Sequence, residues 1–185
     1  ARQESQDGHE LRFAVNYLAS FLLTRRLLPL LAASAPARIV NVSSIGQQTL
    51  DFEDVMLERA YSGERAYCQS KLAQILFTIE LSQQLNAADV TVNALHPATY
   101  MPTKIVRTPI STLEEGVSAT LRLILDPTLS QISGRYFDGE RESRVRPHGF
   151  EHLVQRTRRH HRGLGSPQQA FVDQAGRRAK RLTLG

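Results

Sequence analysis

No glycine-rich turn of the form Gly-x-Gly-x-x-Gly or Gly-x-x-x-Gly-x-Gly occurs anywhere in this 185-residue chain. Such a turn lets backbone amides and a helix N-terminus approach a pyrophosphate, so these residues alone offer no phosphate cradle of that kind. Gly8 precedes a predicted helix, but no strand stands before it. Cysteine is nearly absent. Cys68 stands alone, which excludes an intrachain disulfide and suits a reducing compartment, with the cytoplasm as the default expectation. Long apolar runs are missing too. Phe13 to Leu23 and Leu27 to Ala33 are separated by Arg25 and Arg26 and are too short to span a bilayer, and Ala1 to Asp7 lacks the hydrophobic segment of a signal peptide.

What is present suffices for one soluble core. Hydrophobic residues make up 41% of the chain, within the range of a single domain of this size. Charge is distributed unevenly. Residues 144 to 185 hold ten Lys+Arg against two Asp+Glu, +8, whereas residues 1 to 143 hold thirteen against sixteen, −3. The net +5 is therefore a property of a basic tail, 144–185, expected to be a solvated extension of a domain formed by 1–143. The cluster Arg156, Arg158, Arg159, His160, His161 and Arg162 has no interleaved aromatic residue, and Phe150 and Phe171 stand apart from it. Nucleic acid is accordingly not expected as a partner. His148, His152, His160 and His161 lack cysteines or carboxylates at ligand spacing, so no metal site is expected.

Periodicity alternates along the chain. Leu11, Val15, Leu18 and Leu22 recur at helical spacing in a pattern expected to run to Pro29. Arg38 to Ser43 reads as a buried strand, Glu64 to Leu85 as a helix, and Val90 to Leu95 as a second strand ending at Pro97. Ser111 to Leu125 opens with two overlapping capping-box spacings, Ser111 with Glu114 and Thr112 with Glu115, and stops at Asp126-Pro127. Gly134 to Asp138 suits a last short strand. Helices alternating with strands imply an α/β fold with parallel pairing. Ligands of such sheets lie beyond the carboxyl ends of the strands, where Ser44 and Pro97 both fall.

Tyr67 and Lys71 are four residues apart, so on a helix they share a face. A free tyrosine titrates near pH 10, and a neighbouring cation favours its phenolate. With a serine hydroxyl at the strand end to hold a carbonyl or alcohol oxygen, the pair is suited to moving a proton. Cys68, between them, reads as a packed residue.

The segments Ile39-Val40-Asn41-Val42-Ser43-Ser44 and Ala66-Tyr67-Cys68-Gln69-Ser70-Lys71-Leu72-Ala73 resemble the short-chain dehydrogenase/reductase family, most of all its retinol-dehydrogenase and WW-domain-oxidoreductase-like branch. Asp7 to Asn16 resembles that family's central helix, and Val92-Asn93-Ala94-Leu95-His96-Pro97 its strand and turn beside the nicotinamide. The resemblance covers roughly residues 7 to 140 and implies a Rossmann-like doubly wound parallel sheet and an NAD(P)-dependent oxidoreductase acting on a small-molecule alcohol or carbonyl. It implies a catalytic set of Ser44, Tyr67 and Lys71 with Asn16 as relay support, and leaves Ser43 structural. Tyr67, Lys71, Pro97, Ala98 and a threonine, Thr99 or Thr103, would contact the cofactor. Where the family has Pro-Gly this chain has Pro97-Ala98, which adds a methyl at the turn. His96 reads as a strand-end residue near the cofactor.

The family's first strands, its glycine-rich turn and its NAD-or-NADP selector are not found, so the chain is expected to be the C-terminal part of a longer enzyme and to be silent on its own. The competing reading is a non-catalytic remnant or interaction domain that does not bind a dinucleotide. Self-association into a homodimer or homotetramer is also expected. Leu72, Ile75, Leu76, Phe77, Ile79 and Leu81 make the 64–85 helix apolar on more than one face, and the resemblance implies that this helix meets its copy.

Overall fold

A computed structural model of the chain describes residues 1–104 and 106–145. The basic segment 144–185 and its histidines thus lie almost wholly outside the described residues. The first helical run has three parts: α1 (Leu11–Phe13), a π-helical turn (Ala14–Leu18) and α2 (Ala19–Ala33). Glu10 caps it, its fully buried carboxylate accepting the Phe13 amide at 2.7 Å. After it come β1 (Ala37–Val42), α3 (Gly63–Ser82), β2 (Val90–His96), α4 (Leu113–Leu125), a 3₁₀ turn (Pro127–Leu129), β3 (Tyr136–Asp138) and β4 (Arg141–Ser143).

The run was expected to stop at Pro29 and instead continues to Ala33. Proline removes one N–H, which orphans the Arg25 carbonyl. Both residues are exposed, so that carbonyl is on the solvent side of the helix, and half-buried Leu28, immediately before the proline, packs on the core. At α4 the structure selects one of the two capping boxes: Thr112 Oγ1 accepts the Glu115 amide at 3.2 Å and Glu115 returns a bond to the Thr112 amide at 2.9 Å.

The sheet runs in the order β1-β2-β3-β4. The first three strands are parallel, with Ile39 opposite Val92 and Ala94 opposite Tyr136. The hairpin that adds antiparallel β4 was not foreseen. Successive side chains on a strand face opposite ways, and the core divides accordingly. Ile39, Val92, Ala94 and Tyr136 meet α3 and the first helical run, whereas Val40, Leu95 and Phe137 meet Ala119 and Leu123 of α4. The sheet is therefore covered on both faces, and the carboxyl ends of β1 and β2 open on one rim.

The six apolar residues of α3 named above are buried or nearly so within the chain. One face meets the sheet. The other meets Phe13, Tyr17 and Phe21, and the Phe21 and Phe77 ring centres lie 5.0 Å apart. The surplus apolar surface expected of α3 is thus covered inside one chain. Exposed apolar side chains lie elsewhere: Val15, Leu22, Leu23, Leu27 and Leu30 on the first run, and Leu113, Val117, Leu121, Ile124 and Leu125 on α4.

Candidate active site

Ser43 and Ser44 continue from β1. The Ser43 amide donates to Leu95 O and its hydroxyl to Lys71 O, both at 2.7 Å, so this side chain is consumed in joining β1 to α3. Ser44 is buried, and its Oγ accepts the Gly46 amide at 3.1 Å. The Ser44 carbonyl accepts the Tyr136 hydroxyl at 3.1 Å.

The first turns of α3 carry Tyr67 and Lys71. Ser62 caps the helix by accepting the Arg65 amide, and Glu64 adds negative charge at its positive end. Ala66, Cys68, Gln69 and Ser70 are buried, while Tyr67 is 38% exposed. Lys71 Nζ lies 5.8 Å from the Tyr67 ring centre and donates to Val42 O at 2.9 Å and to Gln74 Oε1 at 3.2 Å. Burial holds the Lys71 ammonium below the usual lysine range, because desolvation favours the neutral amine. Burial raises the Cys68 thiol, so it is a poor nucleophile.

Gly46 lies beside both Ser44 and Tyr67. A methyl built on it would lie 3.6 Å from Ser44 Oγ, 3.7 Å from Tyr67 Cε1 and 3.2 Å from Cys68 Sγ. The serine hydroxyl and the phenol ring therefore border one small space. Asn16 sits inside the π-helical turn, an irregularity that often marks functional positions. Its Nδ2 donates to Ser70 Oγ at 3.0 Å, and Ser70 donates to Tyr67 O at 2.7 Å. Asn16 is thus tied to the helical turn that carries the tyrosine, through a neighbour of Lys71.

Pro97, Ala98 and Thr99 leave the end of β2, level with Ser44 because Val42 pairs with Leu95. Thr99 Oγ1 lies 2.9 Å from His96 Nε2. His96 is buried, which lowers its pKa despite the opposing pull of Asp138, so the ring is neutral near pH 7. Thr103 is exposed farther along the loop, its amide bonded to Met101 O at 2.7 Å. The loop is fastened at two points: the Ile110 amide donates to Tyr100 O at 3.1 Å, and Met101 Sδ fills the notch where a side chain on Gly116 would sit.

Four residues of this constellation were not singled out from sequence. Gly46 and Ser70 had signals in their proximity to Ser44 and Lys71. Gln74 lies one helical turn beyond Lys71. Tyr136 sits in a short buried strand, where a phenol requires a partner. Among the described residues no group of three or more His, Cys, Asp or Glu side chains is placed to hold a metal ion. No described helix is long and apolar enough to cross a membrane.

Residues 2–112 match the family model for short chain dehydrogenases. The chain is 38% identical to retinol dehydrogenase 13 of Homo sapiens, an alignment covering 82% of this chain and 52% of the relative. It is 37% identical to retinol dehydrogenase 14 of Mus musculus, covering 83% and 51%. The chain therefore spans about half the length of the curated relatives it matches. Among solved structures it resembles an NADPH-bound carbonyl reductase from chicken fatty liver, with TM-score 0.57, 24% identity and coverage of 79% of this chain and 62% of that one. It also resembles an uncharacterised protein from Mycobacterium paratuberculosis, with TM-score 0.60, 29% identity and coverage of 79% and 54%.

Proposed function

From the premise that this chain belongs to the short-chain dehydrogenase family, in its retinol-dehydrogenase-like branch, we propose that it carries the proton-transfer half of a nicotinamide-dependent oxidoreductase interconverting an alcohol and a carbonyl. The supporting observation is the space bordered by Ser44 Oγ and the Tyr67 ring at Gly46, with Lys71 Nζ 5.8 Å from that ring. Ser44 orients the substrate oxygen by donating its hydroxyl proton. Tyr67 passes a proton to or from that oxygen. Lys71 stabilises negative charge on the phenol oxygen during transfer, and Asn16 supports the turn that holds both.

The residues present fit one end of a nicotinamide dinucleotide. Lys71, Tyr67 and the 97–99 backbone lie on one rim, with Thr99 better placed than exposed Thr103 to meet the carboxamide. When bound, NAD or NADP supplies or accepts the hydride. The pyrophosphate finds no glycine-rich turn in this sequence, so tight binding is expected only together with a segment that carries one. Similarity to retinol dehydrogenases supports an apolar alcohol or aldehyde as substrate. Self-association belongs on α2, where Leu22, Leu23, Leu27 and Leu30 are exposed.

The test is turnover of a panel of apolar aldehydes with NADH and NADPH, using the protein as its gene encodes it, beside Lys71→Ala. Losing the cation should lower kcat/KM by about 10²-fold. An active enzyme indifferent to this change would refute the role given to Lys71. The alternative, an interaction domain that binds no dinucleotide, predicts no binding of NADH or NADPH in calorimetric titration of the gene-encoded protein.

A further inference from the structure

Ser44 is held from more than one side. Its Oγ accepts the Gly46 amide, so one lone pair is occupied and the hydroxyl proton is left to be donated into the space it shares with Tyr67. Its carbonyl accepts the Tyr136 hydroxyl from a different strand, across 92 residues of sequence. Tyr136 is 4% exposed, and its ring packs with Ile75 of α3 and Ala94 of β2. Packing on both neighbours fixes the ring, and a fixed ring fixes its oxygen. A phenylalanine would fill the same volume. What the phenol adds is a directional bond to the backbone of the residue whose hydroxyl must be aimed.

We propose that Tyr136 is a positioning residue for Ser44, locking the peptide that follows it so that the serine hydroxyl meets the substrate oxygen. The inference rests on the oxidoreductase reading given above. Placement errors near 1 Å cost on the order of 10²-fold in rate, and loss of one anchor among several should cost less.

The experiment is Tyr136→Phe, Ser44→Ala and their combination in the protein as its gene encodes it. Tyr136→Phe should lower kcat about tenfold with the KM for cofactor unchanged. In the Ser44→Ala background the same change should cost nothing further, because Tyr136 acts through the serine. Independent, multiplying effects would overturn the proposal, since a role confined to core packing behaves that way. A readout without turnover is the Ile45 amide signal in ¹⁵N-edited NMR, which reports on the peptide whose carbonyl Tyr136 binds. It should move in Tyr136→Phe while the Leu123 amide signal on the opposite face stays in place. An unmoved Ile45 signal overturns the proposal. A wild-type protein that turns over nothing refutes the oxidoreductase reading and this role with it, whereas an active wild type in which the Tyr136→Phe and Ser44→Ala effects multiply refutes the role of Tyr136 alone.

Discussion

The two longest helices, α2 and α3, end in opposite circumstances, although α2 is the more apolar of the two in sequence. In α3, 12 of 20 residues are buried. In α2 only Thr24 is, and Leu22, Leu23 and Leu30 are more than half exposed. The strands repeat the contrast: every residue of β2 is buried, while β1 pairs on one side only and leaves Val42 47% exposed. The lesson is that apolar content does not locate the core. Coverage does, and among the described residues it is most complete around α3, which carries Tyr67 and Lys71, and β2, which leads into Pro97.

The comparison can be broken most forcefully by paired truncations. Leu72→Ala, in the closed part, should lose about 2–5 kcal/mol by leaving a cavity. Leu22→Ala, on exposed α2, should change stability by no more than about 0.5 kcal/mol. Urea unfolding midpoints measure both, and equal losses would mean that α2 is covered in solution. The seam between β1 and α3 is sharpened by Asn41→Ala. Asn41 Nδ2 donates to buried Thr78 Oγ1 at 2.9 Å, and removing that donor should cost about 1–3 kcal/mol in the same assay. On the open side, Thr112→Ala removes the α4 cap and should cost about 1 kcal/mol, read as a lowered Tm with reduced helical signal.

The smallest effect is on pH. Burial holds the His96 pKa below its ordinary value, so the unfolded chain takes up this proton first. The resulting stability is fully present above the unfolded value of about 6.5 and is lost as pH falls through it toward the folded value. His96→Gln should flatten this acid limb between neutral pH and the mildly acidic range. An unchanged pH profile of Tm would show that His96 does not titrate there.

Much of the fold was legible because its signals are local. β1, β2 and α3 fell within a few residues of expectation, since a short apolar run bounded by turn residues, or helical spacing, is visible in the residues themselves. The continuation through Pro29 was not, because exposure of the Arg25 carbonyl and packing of Leu28 are tertiary facts. Neither was the π-helical turn at Asn16, whose neighbours Ala14, Val15 and Tyr17 read as ordinary helix. At the site, spacing together with family resemblance singled out Ser44, Tyr67 and Lys71, the set proposed above as catalytic. The anchors were not. Tyr136 reaches Ser44 across 92 residues, a distance no local pattern records.

Tyr67 is proposed above to carry the proton. The most direct test is the turnover of Tyr67→Phe against wild type in the gene-encoded protein, with an apolar aldehyde and NADH or NADPH, after showing that both proteins have the same Tm. Phenylalanine keeps the ring between Gly46 and Lys71 and removes the phenol hydroxyl proposed to exchange a proton with the substrate oxygen. The expected result is a loss in kcat of about 10²- to 10⁴-fold with cofactor affinity retained. Undiminished turnover would contradict it.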